Sequence, residues 1–125
     1  MNDGKGAVFN FEELKVWQKA VIFAENVIKI IDEIETPRKN FRLIEQLEAA
    51  GTSVAMNIAE GKGRQTTKEF IQYLFIARGS LFETVTLLII INRLNWLAEY
   101  KLLKLKSLAE EITKMLNSLI KSMRK

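Results

Sequence analysis

Between Thr67 and Leu94 the chain carries large apolar residues on three sides of a single helical period. One seam is Phe70, Leu74, Ala77, Leu81, Thr84, Leu88 and Ile91, in steps of three and four. A second is Ile71, Phe75, Phe82, Val85 and Ile89, and a third takes in Tyr73, Ile76, Leu87, Ile90 and Leu94. Steps of this kind mark an α-helix, and a helix that is apolar all round is covered all round. In a four-helix monomer every helix keeps one face in water, so "LLIIINRL" asks for more cover than 125 residues supply. Each large aliphatic side chain left in water forgoes about 1.5–3 kcal/mol. Copies of the chain are therefore expected to cover one another.

Three further helices fit around this segment. The first is expected to start at Asn10, with Glu13 completing a capping box and Phe9 stapled to Leu14. It carries two adjacent seams, Leu14–Trp17–Val21–Ala24–Ile28–Ile31 and Val16–Ala20–Phe23–Val27–Ile30–Ile34, enough for two neighbours. Pro37, with Thr36 as a cap, marks the break before a second helix from about Asn40 to Glu60. That helix is rich in small residues, and Gly51 inside it costs about 1 kcal/mol relative to alanine, a cost that close approach of another helix would offset. Asn95 in "LNWL" suits a left-handed turn. A fourth helix follows from Ala98 to Met123, with the seam Leu102, Leu105, Ala109, Ile112, Leu116, Leu119 and Met123. No stretch alternates with period two. The expected fold is all-α: an antiparallel up-down-up-down four-helix bundle over residues 10–125, behind a disordered segment of residues 1–9.

The stretch "NIAEGKGR", residues 57–64, holds a carboxylate, two glycines and two cations. Capping chemistry accounts for it. Gly61 or Gly63 in a left-handed conformation would stop the second helix, and Lys62 and Arg64 would sit at the negative end of its dipole. Thr66 and Glu69 then form a capping box for the third helix. A phosphate cradle needs its glycines after a strand, with a lysine and hydroxyl at fixed spacing, and that pattern is missing.

The chain has no cysteine and no histidine. Disulfides, thiolate metal sites, Ser–His dyads and Glu-x-x-His di-iron ligands are all excluded, and the commonest general base is gone. No catalytic residue, metal ligand or cofactor is expected, and the protein is read as not an enzyme. The most apolar window, residues 80–98, contains Glu83 and Arg93, each costly in lipid, so no membrane span is expected. No secretory signal pattern opens the chain, and a cytoplasmic location is expected. The net charge is +4. From Glu99 onward seven cations face three anions, a surplus of four, so the rest of the chain is neutral and the basic character belongs to the last helix.

Five blocks, "FEELKVWQKA", Gln46-Leu47, "NIAEG" at 57–61, Glu69-Phe70 and "IARGSLFE" at 76–83, follow one another in an order and spacing that resembles a known family. It is the family of four-helix-bundle proteins encoded by intervening sequences within bacterial large-subunit ribosomal RNA genes. That family is in turn similar to the accessory proteins of diversity-generating retroelements, which are thought to bind nucleic acid and a reverse transcriptase. The resemblance implies a homopentamer of bundles around a central channel. It picks out Trp17, Gln46, Ser53, Asn57, Glu60, Gly61, Arg64, Glu69, Ala77, Gly79, Ser80 and Glu83. Among these, Gly79 and Ser80 are expected to allow close helix contact, and Asn57, Glu60 and Arg64 to form a hydrogen-bonded cluster at one end of the bundle. Two family arginines after the Gln-Leu pair are replaced here by Glu48 and Ala49, which removes cations from that surface.

Two functions fit these features. The first is a homo-oligomer that binds RNA or DNA through Lys62, Arg64, Lys68, Lys101, Lys104, Lys106, Lys114, Lys121 and Arg124, with Lys125 beside them, multiplied around the assembly. The second is a protein-interaction scaffold that docks a partner protein without touching nucleic acid, its lysines serving only to keep an outward face soluble.

Overall fold

The structure, a computed structural model, describes residues 6–36 and 40–124. Four α-helices account for most of them: α1 Lys15–Ile31, α2 Phe41–Lys62, α3 Thr67–Arg93 and α4 Glu99–Met123. A 3-10 turn, Asn10–Glu13, precedes α1, and no strand occurs among the described residues. Of the segment expected to be disordered, residues 1–5 lie outside the described ones, as do Pro37 and Lys125.

The start of the first helix differs from the expected frame by one residue. Phe9 is the cap of the 3-10 turn, and its N–H donates to Glu12 Oε2 at 2.8 Å; Asn10 and Glu13 do not form the box. Leu14 is extended at φ −75°, ψ 121°, which separates the turn from α1. Phe9 is itself the cap and not the residue before it that a staple uses. Its ring stacks on Phe11 at 5.7 Å, and Phe11 leans on Trp17 at 5.1 Å. Once aromatic rings are available, they supply more contact than one aliphatic pair.

One contiguous core joins the four helices. From α1 the second seam is the buried one, Val16, Ala20, Phe23, Val27 and Ile30, while Trp17, Val21 and Ile31 pack at its edge. Helix α2 contributes Leu47, Ala50, Val54 and Ile58, and α3 contributes Leu74, Ala77, Leu81, Leu88 and Ile91. Helix α4 contributes Leu102, Leu105, Ala109, Ile112, Leu116 and Ile120. Each helix touches two others, in the cycle α1–α2–α3–α4–α1, and the α2–α3 contact is the most extensive.

Small residues explain that contact. A Cβ on Gly61 would lie 2.6 Å from Tyr73 Cβ and 3.3 Å from the Phe70 carbonyl oxygen, so glycine alone lets α3 come this near. Gly61 is thus buried inside α2 and is not its stop; Gly63 caps the helix at φ −83°, on the right-handed side. The expected left-handed glycine is unnecessary because the Gly63 N–H reaches the Ala59 and Glu60 carbonyls at 3.3 Å. Gly51 plays the same part toward α1, where a Cβ would meet Val27 Cγ1 at 2.9 Å; the close neighbour there is a side chain and not a backbone.

The other two turns follow the sequence. Thr66 Oγ1 accepts from the Glu69 N–H at 3.1 Å and opens α3. Asn95, at φ 65°, is the left-handed residue that ends it, and the Trp96 N–H reaches back to the Ile91 carbonyl at 3.1 Å. The Trp96 carbonyl in turn accepts from the Glu35 N–H at 3.0 Å, fixing the segment after α1 against the α3–α4 turn.

Helix α3 is only partly covered. Of its third seam, Leu87 is buried, whereas Ile76 is 48% exposed, Ile90 43% and Leu94 47%. By length and composition this is also the one helix among the described residues that is long and apolar enough to cross a membrane, at a mean hydropathy of 1.9.

Candidate nucleic-acid interface

The cations singled out by sequence do not share one surface. Lys62, Arg64 and Lys68 gather at the α2–α3 turn. Arg64 bridges Glu60 Oε2 at 2.8 Å, donates to the Tyr73 hydroxyl and lies 4.8 Å from the Tyr73 ring centroid. Lys62 Nζ stands 5.8 Å from the Phe70 ring centroid. Lys68 is exposed in the first turn of α3.

On α4 the cations divide between two flanks and an outward face. Lys101 turns toward α1 and forms an ion pair with Glu33. The hydrogen bond to that carboxylate raises its pKa above the usual lysine value, desolvation working against it and the nearby charge with it. Lys104 lines the same α1–α4 cleft beside Lys29 and Asn26. Lys106 and Arg124 lie on the opposite flank, toward α3: Lys106 edges a groove with Phe82 and Val85, and Arg124 Cζ is 5.1 Å from the Phe75 ring centroid. Lys114 and Lys121 are exposed.

The expected cluster of Asn57, Glu60 and Arg64 splits in two. Glu60 and Arg64 are joined at the end of α2, with Tyr73 as the third member. Asn57 instead donates to the Ser53 carbonyl at 2.9 Å and to Ser53 Oγ at 2.8 Å. Ser53 Oγ is 2.9 Å from Ser80 Oγ, so this second network lies along the α2–α3 contact. Gln46 Nε2 donates to Glu83 Oε2 at 3.3 Å further along it. Three sets of family-pattern residues therefore knit α2 to α3. Gly79, next to Ser80, faces the other way: a Cβ there would have nothing within 4 Å. Close contact at Gly79 is not made within one chain.

A family model described as 23S rRNA-intervening sequence protein matches residues 12–118. The chain belongs to this family. It is also similar to a crystal structure of a Bacteroides thetaiotaomicron protein of unknown function from the S23 ribosomal protein family. The two share 28% identity at a TM-score of 0.78, over 85% of this chain and 98% of that one. No curated protein matches the sequence.

Within this intervening-sequence protein, one residue of the surface escaped the sequence reading. Arg78 lies between the two Phe residues of α3, its Cζ 4.7 Å from the Phe75 ring centroid and 5.9 Å from that of Phe82. Its Nη1 donates to Asn117 Oδ1 on α4 at 2.8 Å. The spacing Phe75–Arg78–Phe82, in steps of three and four, is the signal the sequence carries for it.

Proposed function

We propose that this protein is a non-enzymatic homo-oligomer that binds RNA or DNA through cations repeated around the assembly. Its four helices run up-down-up-down and antiparallel. Gln46, early in α2, meets Glu83 in the second half of α3, and Arg64, just past α2, meets Tyr73 near the start of α3. The family resemblance implies five copies, and a cytoplasmic location is part of the same proposal. Helix α3 is a core and interface helix in this reading: its buried residues face α2 and α4, leaving one stripe for another copy.

The carrying observation is that stripe. Ile76, Ile90 and Leu94 are nearly half exposed on the same side of α3 as the open Gly79. Three aliphatic groups in water forgo several kcal/mol, and a glycine without a neighbour leaves a notch into which a second backbone fits. Repetition then multiplies cations that are sparse on one chain, and the family's link to ribosomal RNA supports nucleic acid as what they meet. The absence of histidine and cysteine supports a role without catalysis.

Light scattering at micromolar concentration tests assembly: a mass near five times the 14.4 kDa chain is expected, and a 14.4 kDa particle overturns the reading. Titration of ribosomal RNA fragments over rising salt tests binding, which weakens with a slope set by the phosphates neutralised.

A second reading, the protein-interaction scaffold, draws on the ion pairs. Lys19, Arg64 and Lys101 are each answered by a carboxylate of their own chain, Glu111, Glu60 and Glu33. A partner protein that co-purifies after nuclease digestion, with no RNA shift, would favour it.

A further inference from the structure

We propose that the seam between α3 and α4 around Arg78 and Arg124 is a nucleotide-binding step, in which the two guanidinium groups hold a phosphodiester and the Phe82 ring stacks a base. The inference rests on the nucleic-acid reading above and gives it a place.

The two arginines differ from the other cations in what surrounds them. Arg64 and Lys101 are answered by carboxylates. Among the described residues, Arg78 and Arg124 have none: Arg78 bonds to the neutral amide of Asn117, and both guanidinium groups lie over Phe75, at 4.7 and 5.1 Å. Stacking on a ring holds a guanidinium in one plane while leaving its N–H edge free. Such an edge pairs with phosphate oxygens in a forked geometry that a lysine cannot copy. Arg78 from α3 and Arg124 from the end of α4 bring two such donors to one ring.

The base has a platform next to it. Phe82 is 50% exposed, one helical turn from Arg78, and forms one wall of the groove between α3 and α4. Lys106 stands at that groove, and Glu110 is the single carboxylate lining it. From Lys106 to Arg124 along α4 is about 27 Å at 1.5 Å per residue. A basic track with an aromatic ring open to solvent is the arrangement that takes single strands without reading their sequence, through phosphate contact and stacking together. A poly-glutamate peptide would supply the charge but no ring to stack on Phe82.

The test has two arms. In the first, a single-stranded RNA 20-mer is titrated against the wild type, Arg78→Ala/Arg124→Ala and Phe82→Leu over a range of salt. The double variant is expected to bind at least tenfold more weakly, with the salt slope reduced by about 0.7, since the one phosphate the two arginines share counts about 0.7 on a single strand. Phe82→Leu, which keeps an apolar wall, is expected to lose about tenfold with the slope unchanged. In the second arm, NMR of the wild type follows the Phe82 ring protons as an RNA tetranucleotide is added, and an upfield shift is expected. Unchanged affinity in both variants, with the 20-mer still bound by the wild type, overturns the seam and leaves the nucleic-acid reading standing. No binding of either RNA by the wild type overturns the wider reading and the seam with it. A poly-glutamate peptide that displaces RNA from the arginines, while the ring protons never move, overturns the nucleotide assignment.

Discussion

Ser53 Oγ lies 2.9 Å from Ser80 Oγ across the α2–α3 contact, with Asn57 Nδ2 closing the network at 2.8 Å. Both serines and the asparagine are half-buried, so each polar group depends on the others once water is partly excluded. Ser80→Ala leaves Ser53 its Asn57 partner and is expected to cost about 1 kcal/mol. Ser53→Ala strands the Ser80 hydroxyl and leaves the Asn57 amide only the carbonyl of residue 53, and is expected to cost more, about 1–3 kcal/mol. A double-mutant cycle from urea midpoints reads the difference; additive single costs would show that the two hydroxyls are not coupled.

Gly61 and Gly79 sit in helices and have opposite surroundings. At Gly61 the atoms that a methyl group would meet are Tyr73 Cβ at 2.6 Å and the Phe70 carbonyl oxygen, both anchored to the backbone of α3. Neither can swing aside, so Gly61→Ala is expected to lose about 1–3 kcal/mol to overpacking. That exceeds the gain of about 1 kcal/mol that alanine brings to a helix. Gly79→Ala meets nothing within 4 Å and is expected to leave the folded chain as stable or up to about 1 kcal/mol more stable. Denaturant midpoints of the two variants, compared in the Ile76→Glu background in which the copies are expected to separate, should move in opposite directions.

What the sequence made legible is what local chemistry decides. Thr66 with Glu69, and Asn95 after an apolar run, mark helix ends within a few residues of themselves, and the structure has both. The seam of α4 needed only its own period, apart from Ile120, which takes the buried place expected of Leu119. Features that depend on the register between helices were not legible. The sequence leaves Gly61 and Gly63 as equal candidates for the stop; the approach of Tyr73 to Gly61 gives that place to Gly63. Asn57 was grouped with Glu60 by sequence proximity, whereas Ser80, 27 residues from Ser53, draws it into the other network. Arg78 needed Asn117 on α4 to be noticed.

The ion pair of Lys101 and Glu33 ties α4 to the segment after α1 and gives stability a basic limb. The Lys101 pKa is raised in the folded chain, chiefly by its hydrogen bond to Glu33. A raised lysine contributes fully below its unfolded pKa of about 10.4 and loses the contribution as pH climbs through the folded value. Thermal midpoints of the wild type are therefore expected to drop more steeply above about pH 10.4 than those of Lys101→Met, which has no proton to lose there. Parallel curves from pH 8 to 11 would show that the pair is fully screened by solvent.

The exposed stripe of α3 makes the assembly itself testable at single residues. Ile76 and Ile90 lie on one side of the helix with Gly79 between them in sequence, and each is more than 40% exposed in the lone chain. A glutamate at either place costs the isolated bundle little, since the side chain already reaches water. Between two copies the same carboxylate would be buried without a partner, a penalty of several kcal/mol per ion, and a closed ring repeats it at every interface. Ile76→Glu and Ile90→Glu are thus expected to yield a folded particle near 14.4 kDa by light scattering, with helical circular dichroism unchanged. Lys114→Glu, on the exposed face of α4, serves as the matched charge control and is expected to leave the mass of the assembly as it was. If both isoleucine variants keep the wild-type mass, the copies meet elsewhere, and the exposed apolar residues to examine next include Ile22 and Ile28 on α1, Met56 on α2 and Leu103 on α4.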